Sequence, residues 1–416
     1  MSSRGPTIIA TVATMMVIIA LCIALAAHSA DSAPKGGNPL SLQPDFADKL
    51  DFFDTQRAFE AGTLTRVKAN SSGDGGVVVL DASTENQFPR RGVWISPIVQ
   101  AEFNFQELLP SYNAYAPPGT GVRLQMRVRD AKNGKWSPWL YFGRWGRTVA
   151  GRGDDQVVTS FAGGRVETDV LLLHRPADAY QVRVALQSLT PDISATPVLR
   201  RVAVCYSGPV SDAQARAKFL APVATPLVGA KVLKVPFIPQ GDAPKPLIGE
   251  VCSPTSMTMV STYGGAARPL TENALALYDD EANIFGNWNR AVQRAGELGL
   301  DAWLARFRNW DQVRAMIAIN QPVIASIRFE RGVMPSNPIY QENDGHLIVI
   351  KGFTSEGDVI VNDPASRDKG DGVVYKASEL GNAWFGAGGV GYIIRPRGAP
   401  RMASEVPTTV PSGPAK

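Results

Sequence analysis

From about residue 48 to 207 apolar side chains recur at every second position in short runs broken by turn residues, and a period of two confines this stretch to β structure. In GVRLQMRVRD (121–130), Val122, Leu124, Met126 and Val128 share one face of a strand, while Arg123, Gln125, Arg127 and Arg129 share the other. Comparable runs stand at 75–81, 92–103, 139–145, 169–175, 180–189 and 198–207. About seven short strands separated by Gly, Asp and Asn turns predict an all-β sandwich over 48–207.

The texture changes beyond it. Residues 208–230 are rich in Gly, Pro and Ala without a sustained period, and read as a linker. Over 231–398 helical runs (252–263, 271–278, 287–298, 309–319) mix with strand runs (322–329, 346–353, 357–362, 372–376, 390–395), which predicts a second, α+β domain. Trp288 and Trp303 are expected in its core. The Pro-rich residues 399–416 read as a disordered tail.

At the other end, Arg4 precedes an apolar run over residues 8–27 and small residues follow, the pattern of a secretory signal peptide over 1–30. About 20 apolar residues also reach across a bilayer, so residues 8–27 can equally be an uncleaved membrane anchor. Residues 31–47 form a Pro/Gly/Ser-rich linker. Either reading predicts an exported protein, secreted or on the periplasmic or extracellular face. A formal charge of +4 over 416 residues, without a Lys/Arg block, excludes nucleic acid as an expected partner. Three cysteines make neither a disulfide scaffold nor a zinc site of the usual kind, and no cofactor or metal is implied.

One of those cysteines opens VCSPTSMTMVSTYGG (251–265). Pro254 suits the first turn of a helix and Gly264-Gly265 a stop, so Cys252 falls at a helix N-terminus, where unpaired amides favour a thiolate. The structural alternative is a buried thiol, or a disulfide to Cys205. Of the three histidines, His28, His174 and His346, only His346 shares the second domain with Cys252. It opens HLIVIKGF (346–353), which is apolar on both faces and so reads as a central strand. TSEGD then turns the chain into VIVNDP (359–364), and an antiparallel hairpin there brings Asp363 to His346. A carboxylate beside an imidazole fixes its tautomer and supports its charged form, as in a nucleophile–base–orienter set. Gln240, closing VPFIPQ (235–240), can donate its amide to an oxyanion, with the Cys252 N–H as second donor; otherwise it is a surface glutamine.

Taken together, VPFIPQ, VCSPTSMTMVSTYGG, GHLIVIKGF, DVIVNDP and AWFGAGGVGYIIRP resemble the C39-like cysteine peptidases of the papain superfamily. The resemblance spans about 231–396. It implies a papain-like α+β peptidase domain with Cys252 as nucleophile, His346 as base, Asp363 as orienter and Gln240 as oxyanion donor, acting on a peptide or protein substrate. Two departures stand out: Ser253 where the family usually has Gly, and the eleven-residue insert GDAPKPLIGEV (241–251) between Gln240 and Cys252. The insert and the loop 329–345 are expected to flank the cleft, since each leads into a catalytic position.

Two other functions fit the same residues less well. One is a catalytically silent envelope protein that binds peptide or glycan; the other is a transglutaminase-like transferase or cell-wall amidase. The Trp136, Trp139 and Trp145 stripe in KWSPWLYFGRW can stack on sugar rings, which makes a cell-envelope glycan the expected partner of the first domain in the binding reading. Interstrand packing is the plainer role of those rings. Asp279, Asp280 and Glu281 in YDDEAN read as a solvated helix end rather than a cation site.

Overall fold

The computed structural model describes residues 46–399 except 74, 83–86, 150–155, 190–193, 212, 220–228 and 248. The signal or anchor expected in 1–30, the linker up to residue 45 and the tail from 400 onward lie outside the described residues. Among the described residues no helix is long and apolar enough to cross a membrane.

The first half contains strands β1 (Phe46–Phe53), β2 (Thr63–Thr65), β3 (Val67–Ser72), β4 (Gly75–Leu80), β5 (Arg91–Ile95), β6 (Val99–Tyr115), β7 (Thr120–Asp130), β8 (Leu140–Gly146), β9 (Ser160–Phe161), β10 (Gly164–Glu167), β11 (Val170–Ser188) and β12 (Val198–Pro209), with helix α1 (Gln56–Glu60) after β1. They form one antiparallel network in which β7 and β5 flank β11, while β12 pairs with β6, β4 and β1. The two groups enclose a single apolar core, as sandwich layers do when they share long strands. Val122, Leu124, Met126 and Val128 all point into it.

One expectation needs correction here. The runs 169–175 and 180–189 are one strand, β11, because the Arg175-Pro176 break is absorbed by irregularities in register between Leu172 and Ala179. On the opposite face of β7, Arg123 and Gln125 are buried as well, with Arg123 stacked 4.6 Å over the Tyr141 ring. In the tryptophan stripe Arg127 lies 4.8 Å over Trp136 and 4.7 Å over Trp139, and Arg183 lies 5.7 Å over Trp139, in keeping with the packing role.

Helix α2 (Ala213–Phe219) crosses part of the stretch read as a linker, where Ala, Gln, Arg and Lys are all strong helix formers. The second half runs β13 (Lys231–Val232), α3 (Cys252–Tyr263), α4 (Leu270–Leu277), α5 (Trp288–Glu297), β14 (Asp301–Arg306), α6 (Trp310–Ala318), β15 (Val323–Phe329), β16 (Asn343–Phe353), β17 (Val359–Asn362), β18 (Val373–Tyr375), α7 (Ala377–Trp384) and β19 (Val390–Arg395). Its sheet has the order β14-β19-β15-β16-β17-β18, all antiparallel, which puts β16 in the interior. The described residues are mostly β-sheet with few helices.

The halves are not beads on a string. One core cluster contains Phe52, Leu109, Val170, Ala203 and Cys205 from the first half together with Met257, Val292 and Trp303 from the second. Helix α5 lies on β6, and the Gln293 amide completes the backbone pairing of Ala114, donating to its O at 2.6 Å and accepting from its N at 2.7 Å. Asp169 accepts from the N–H groups of Trp288 and Asn289, satisfying the start of α5 from the other half. At Gly296 a Cβ would meet the Asn113 side chain at 2.6 Å, so only glycine permits this approach. Arg306 and Glu107 form a buried ion pair at 2.6 Å, and Arg308 holds Asp48 through two bonds of 2.7 Å. YDDEAN belongs to the same seam: Asp280 and Glu281 are exposed after α4, as a helix end should be, but Asp279 is buried, and Arg144 pairs with Asp280 at 2.7 Å and Glu281 at 2.8 Å.

Candidate active site

Helix α3 is buried from Ser253 to Ser261, which suits its apolar and small side chains. Its first turn closes through the Thr255 N–H donating to Val251 O at 2.9 Å, and Gly265 (φ 87°) ends it in a conformation that favours glycine. Cys252 is therefore the first helical residue, and it stays partly exposed at the helix tip. It is free, as is Cys205, so the disulfide alternative falls. Cys205 is buried in the shared core, where burial pushes its thiol up to about 12.

Two contacts fix α3 against the sheet. Ser256 donates from Oγ to Leu347 O at 2.9 Å, tying the helix to the residue after His346. Ser253, in the position where glycine is usual in the family it resembles, is fully buried and its hydroxyl meets the Tyr392 hydroxyl at 3.1 Å. The extra Oγ thus has a partner inside the fold.

His346 lies in β16, and the β16–β17 hairpin pairs Val349 with Asn362, so Asp363 follows directly beyond the last paired residue. The His346 Nε2 and Asp363 Oδ1 are 2.8 Å apart. With Nε2 engaged by Asp363, the other ring nitrogen, Nδ1, is left for the Cys252 thiol, whose ionisation this imidazole governs. His346 thus meets Asp363 directly and lies within electrostatic reach of Cys252. Burial would push the Cys252 thiol up, but the hydrogen bond and charge of His346, with the N–H groups of Leu347 and Ser253, pull it below its ordinary value. Burial disfavours the charged imidazole, yet the adjacent Asp363 carboxylate and the Cys252 contact win and push His346 up to about 10. Asp363 is fully buried, and burial raises its carboxyl. The His346 charge and four donated hydrogen bonds, from His346, Ala365 N–H, Tyr340 and Tyr375, more than offset that and lower it.

Tyr340 and Tyr375 are absent from the sequence-based expectation. Both donate to Asp363 Oδ2, at 2.6 and 2.7 Å. Burial and the Asp363 charge push both phenols well above their ordinary range, so both stay protonated donors. Neither carries a local sequence signal: one hydroxyl arrives from the loop after β15, the other from the end of β18.

Gln240 is reached through the backbone. Its N–H donates to Pro364 O at 2.9 Å, and Asn362 donates to Val235 O at 3.1 Å, so VPFIPQ runs beside the Asn-Asp-Pro segment. The Gln240 Oε1 is buried without a hydrogen-bond partner. The insert and the 329–345 loop are both tied to the turn that carries Asp363, through the Arg367–Asp242 ion pair on one side and Lys369 donating to Pro338 O at 3.0 Å on the other. Gly370 makes that turn: its N–H and O bond Ser366 O and Asp363 N, and a Cβ there would meet Asp363 O at 2.0 Å. Among the described residues no group of His, Cys, Asp and Glu could hold a metal ion.

Residues 232–392 match the family model described as Peptidase_C39 like family, and residues 49–207 match the peptidase C39 N-terminal domain. The first half is thus similar to C39 N-terminal domains and the second to C39-like peptidase domains. No curated protein matches the sequence. Among solved structures, a double glycine motif protease from an AMS/PCAT transporter, in complex with the leader peptide, is 21% identical over 41% of this chain and 99% of that one, with a TM-score of 0.28. A protein described as a C39-like peptidase from Bacillus anthracis is 18% identical over 41% and 99%, with a TM-score of 0.32. Xylellain, a cysteine protease from Xylella fastidiosa, is 10% identical over 41% and 84%, with a TM-score of 0.23. At such scores these likenesses carry no argument about the C39-like domain beyond the family match itself.

Proposed function

We propose that the protein is an exported thiol peptidase whose papain-like C39 domain hydrolyses peptide or related amide bonds. The observation that carries this reading is the His346–Asp363 pair at 2.8 Å beside Cys252, with the thiol pulled down and the imidazole pushed up. In the resting site the Cys252 proton resides on His346, giving a thiolate–imidazolium pair. Sulfur attacks the substrate carbonyl carbon, and the resulting oxyanion is received by the amide of Gln240 and the N–H of Cys252 at the helix tip. The His346 Nδ1–H protonates the leaving nitrogen as the C–N bond breaks, and a thioester remains. Neutral His346 then takes a proton from water, whose oxygen attacks the thioester, and the acid leaves as Cys252 regains its thiolate. A glycan partner for the first domain has only the tryptophan stripe behind it, and those rings are already stacked on guanidinium groups.

The test is to incubate the full chain with a proteome-derived peptide library and read new termini by mass spectrometry, beside Cys252→Ala. The expected result is cleavage by the parent protein that falls by at least about a thousandfold in the variant. Cleavage that persists in Cys252→Ala would place the chemistry elsewhere.

A further inference from the structure

The Asp363 carboxylate accepts from four donors that saturate it. Oδ1 takes His346 Nε2 at 2.8 Å and Ala365 N–H at 2.9 Å, while Oδ2 takes Tyr340 at 2.6 Å and Tyr375 at 2.7 Å. A carboxylate has about four lone-pair sites, so nowhere is left for a proton without breaking one of these bonds. A protonated Asp363 would donate to Nε2, turn the neutral ring into its Nδ1–H tautomer and take away the lone pair that faces Cys252. Tyr340 also touches the imidazole itself, edge to face with ring centroids 5.3 Å apart.

We propose that Tyr340 and Tyr375 are positioning residues that keep Asp363 an acceptor and so hold neutral His346 as its Nε2–H tautomer, with Nδ1 open toward Cys252. Two effects compete when a hydroxyl is removed. The carboxylate becomes a stronger acceptor, which favours Nε2–H, but Oδ2 also loses one of its two donors, and both in the double variant, in a fully buried site. The second effect wins, because Asp363 is fully buried, and a charged group that loses its donors there is disfavoured against the protonated acid. The role rests on Cys252, His346 and Asp363 acting as a triad; its test needs no substrate.

Three histidines in the chain make the ring nitrogens of His346 assignable in a histidine-labelled sample. The full chain is alkylated at Cys252 with iodoacetamide, which removes the thiolate, and the His346 tautomer is read by nitrogen NMR across its titration. The parent is expected to favour Nε2–H by about tenfold or more. In Tyr340→Phe/Tyr375→Phe the ratio is expected to fall by about tenfold, toward equal populations, with each single variant between. Tyr340→Phe keeps the ring contact on His346, so its effect reads the hydroxyl alone. Labelling of the buried Cys205 reports any unfolding in the same sample. A folded double variant with the parental ratio would overturn the role while leaving the triad standing; a parent that favours Nδ1–H would overturn both. Should the double variant unfold, the single variants supply the comparison, and parental ratios in folded singles would equally overturn the role.

Discussion

Replacing His346 with alanine is expected to slow alkylation of Cys252 at about pH 6 by two to three powers of ten, because an ordinary thiol with a pKa of about 8.5 is only a fraction of a percent ionised there. Burial on its own pushes this thiol up, and His346 supplies the largest opposing influence through its hydrogen bond and its charge. The N–H groups of Leu347 and Ser253 remain after the substitution, so some thiolate support survives. Their dipoles are weaker than a full charge against sulfur, and burial should prevail. The measurement is the rate of carboxamidomethylation at Cys252 followed by peptide mass, in the parent and in His346→Ala. Near-equal rates would mean that the imidazole does not govern the thiol.

The second large effect is expected from separating the halves. A fragment of residues 229–399 is predicted not to reach a fixed native state, although it contains every candidate catalytic residue. Trp303 packs against Phe52 at a ring-centroid distance of 5.5 Å, and Met257, Val292 and Trp303 share one core cluster with Leu109, Val170 and Ala203. Each large side chain exposed by the cut forfeits about 1.5–3 kcal/mol, and a few of them match the whole stability of a typical domain, about 5–15 kcal/mol. The charged seam loses Glu107 and Asp48 as well, but Arg306 and Arg308 would then meet water, so exposure of the apolar face dominates the loss. Near-ultraviolet circular dichroism and dye binding decide the matter: the fragment should lack fixed aromatic signals and bind dye, while the full chain should show those signals and leave the dye unbound. A cooperative unfolding transition in the fragment would show that the seam is dispensable.

That seam also marks the limit of what the sequence discloses. The start of α3, the β16–β17 hairpin and the meeting of His346 with Asp363 are legible because helix-start chemistry and hairpin counting are local. Asn289 and Gln293 look like the solvent face of a helix, yet in the fold they bond Pro110 and Ala114 of β6. Strand β14 and helix α7 carry no distinct signal: DAWLAR is short and bounded only by Leu300 and Phe307, and the Gly381 within α7 weakens its helical pattern. Tyr340 and Tyr375 reach Asp363 from two separate segments, and no spacing rule predicts such a convergence. Gln240 lies between these cases, since its neighbourhood follows from VPFIPQ but the direction of its amide does not.

The central claim is that Cys252 rests as a thiolate held by His346, and the pH profile of its alkylation in the unaltered full-length chain tests it most directly. The Cys252 thiol is lowered, so reactivity should already be high well below the pKa of about 8.5 of a free thiol. His346 is raised to about 10, so its charge should hold that reactivity level through neutral pH. A Cys252 that alkylates only as pH rises through or above the ordinary thiol range, alongside a silent Cys205, would contradict the account.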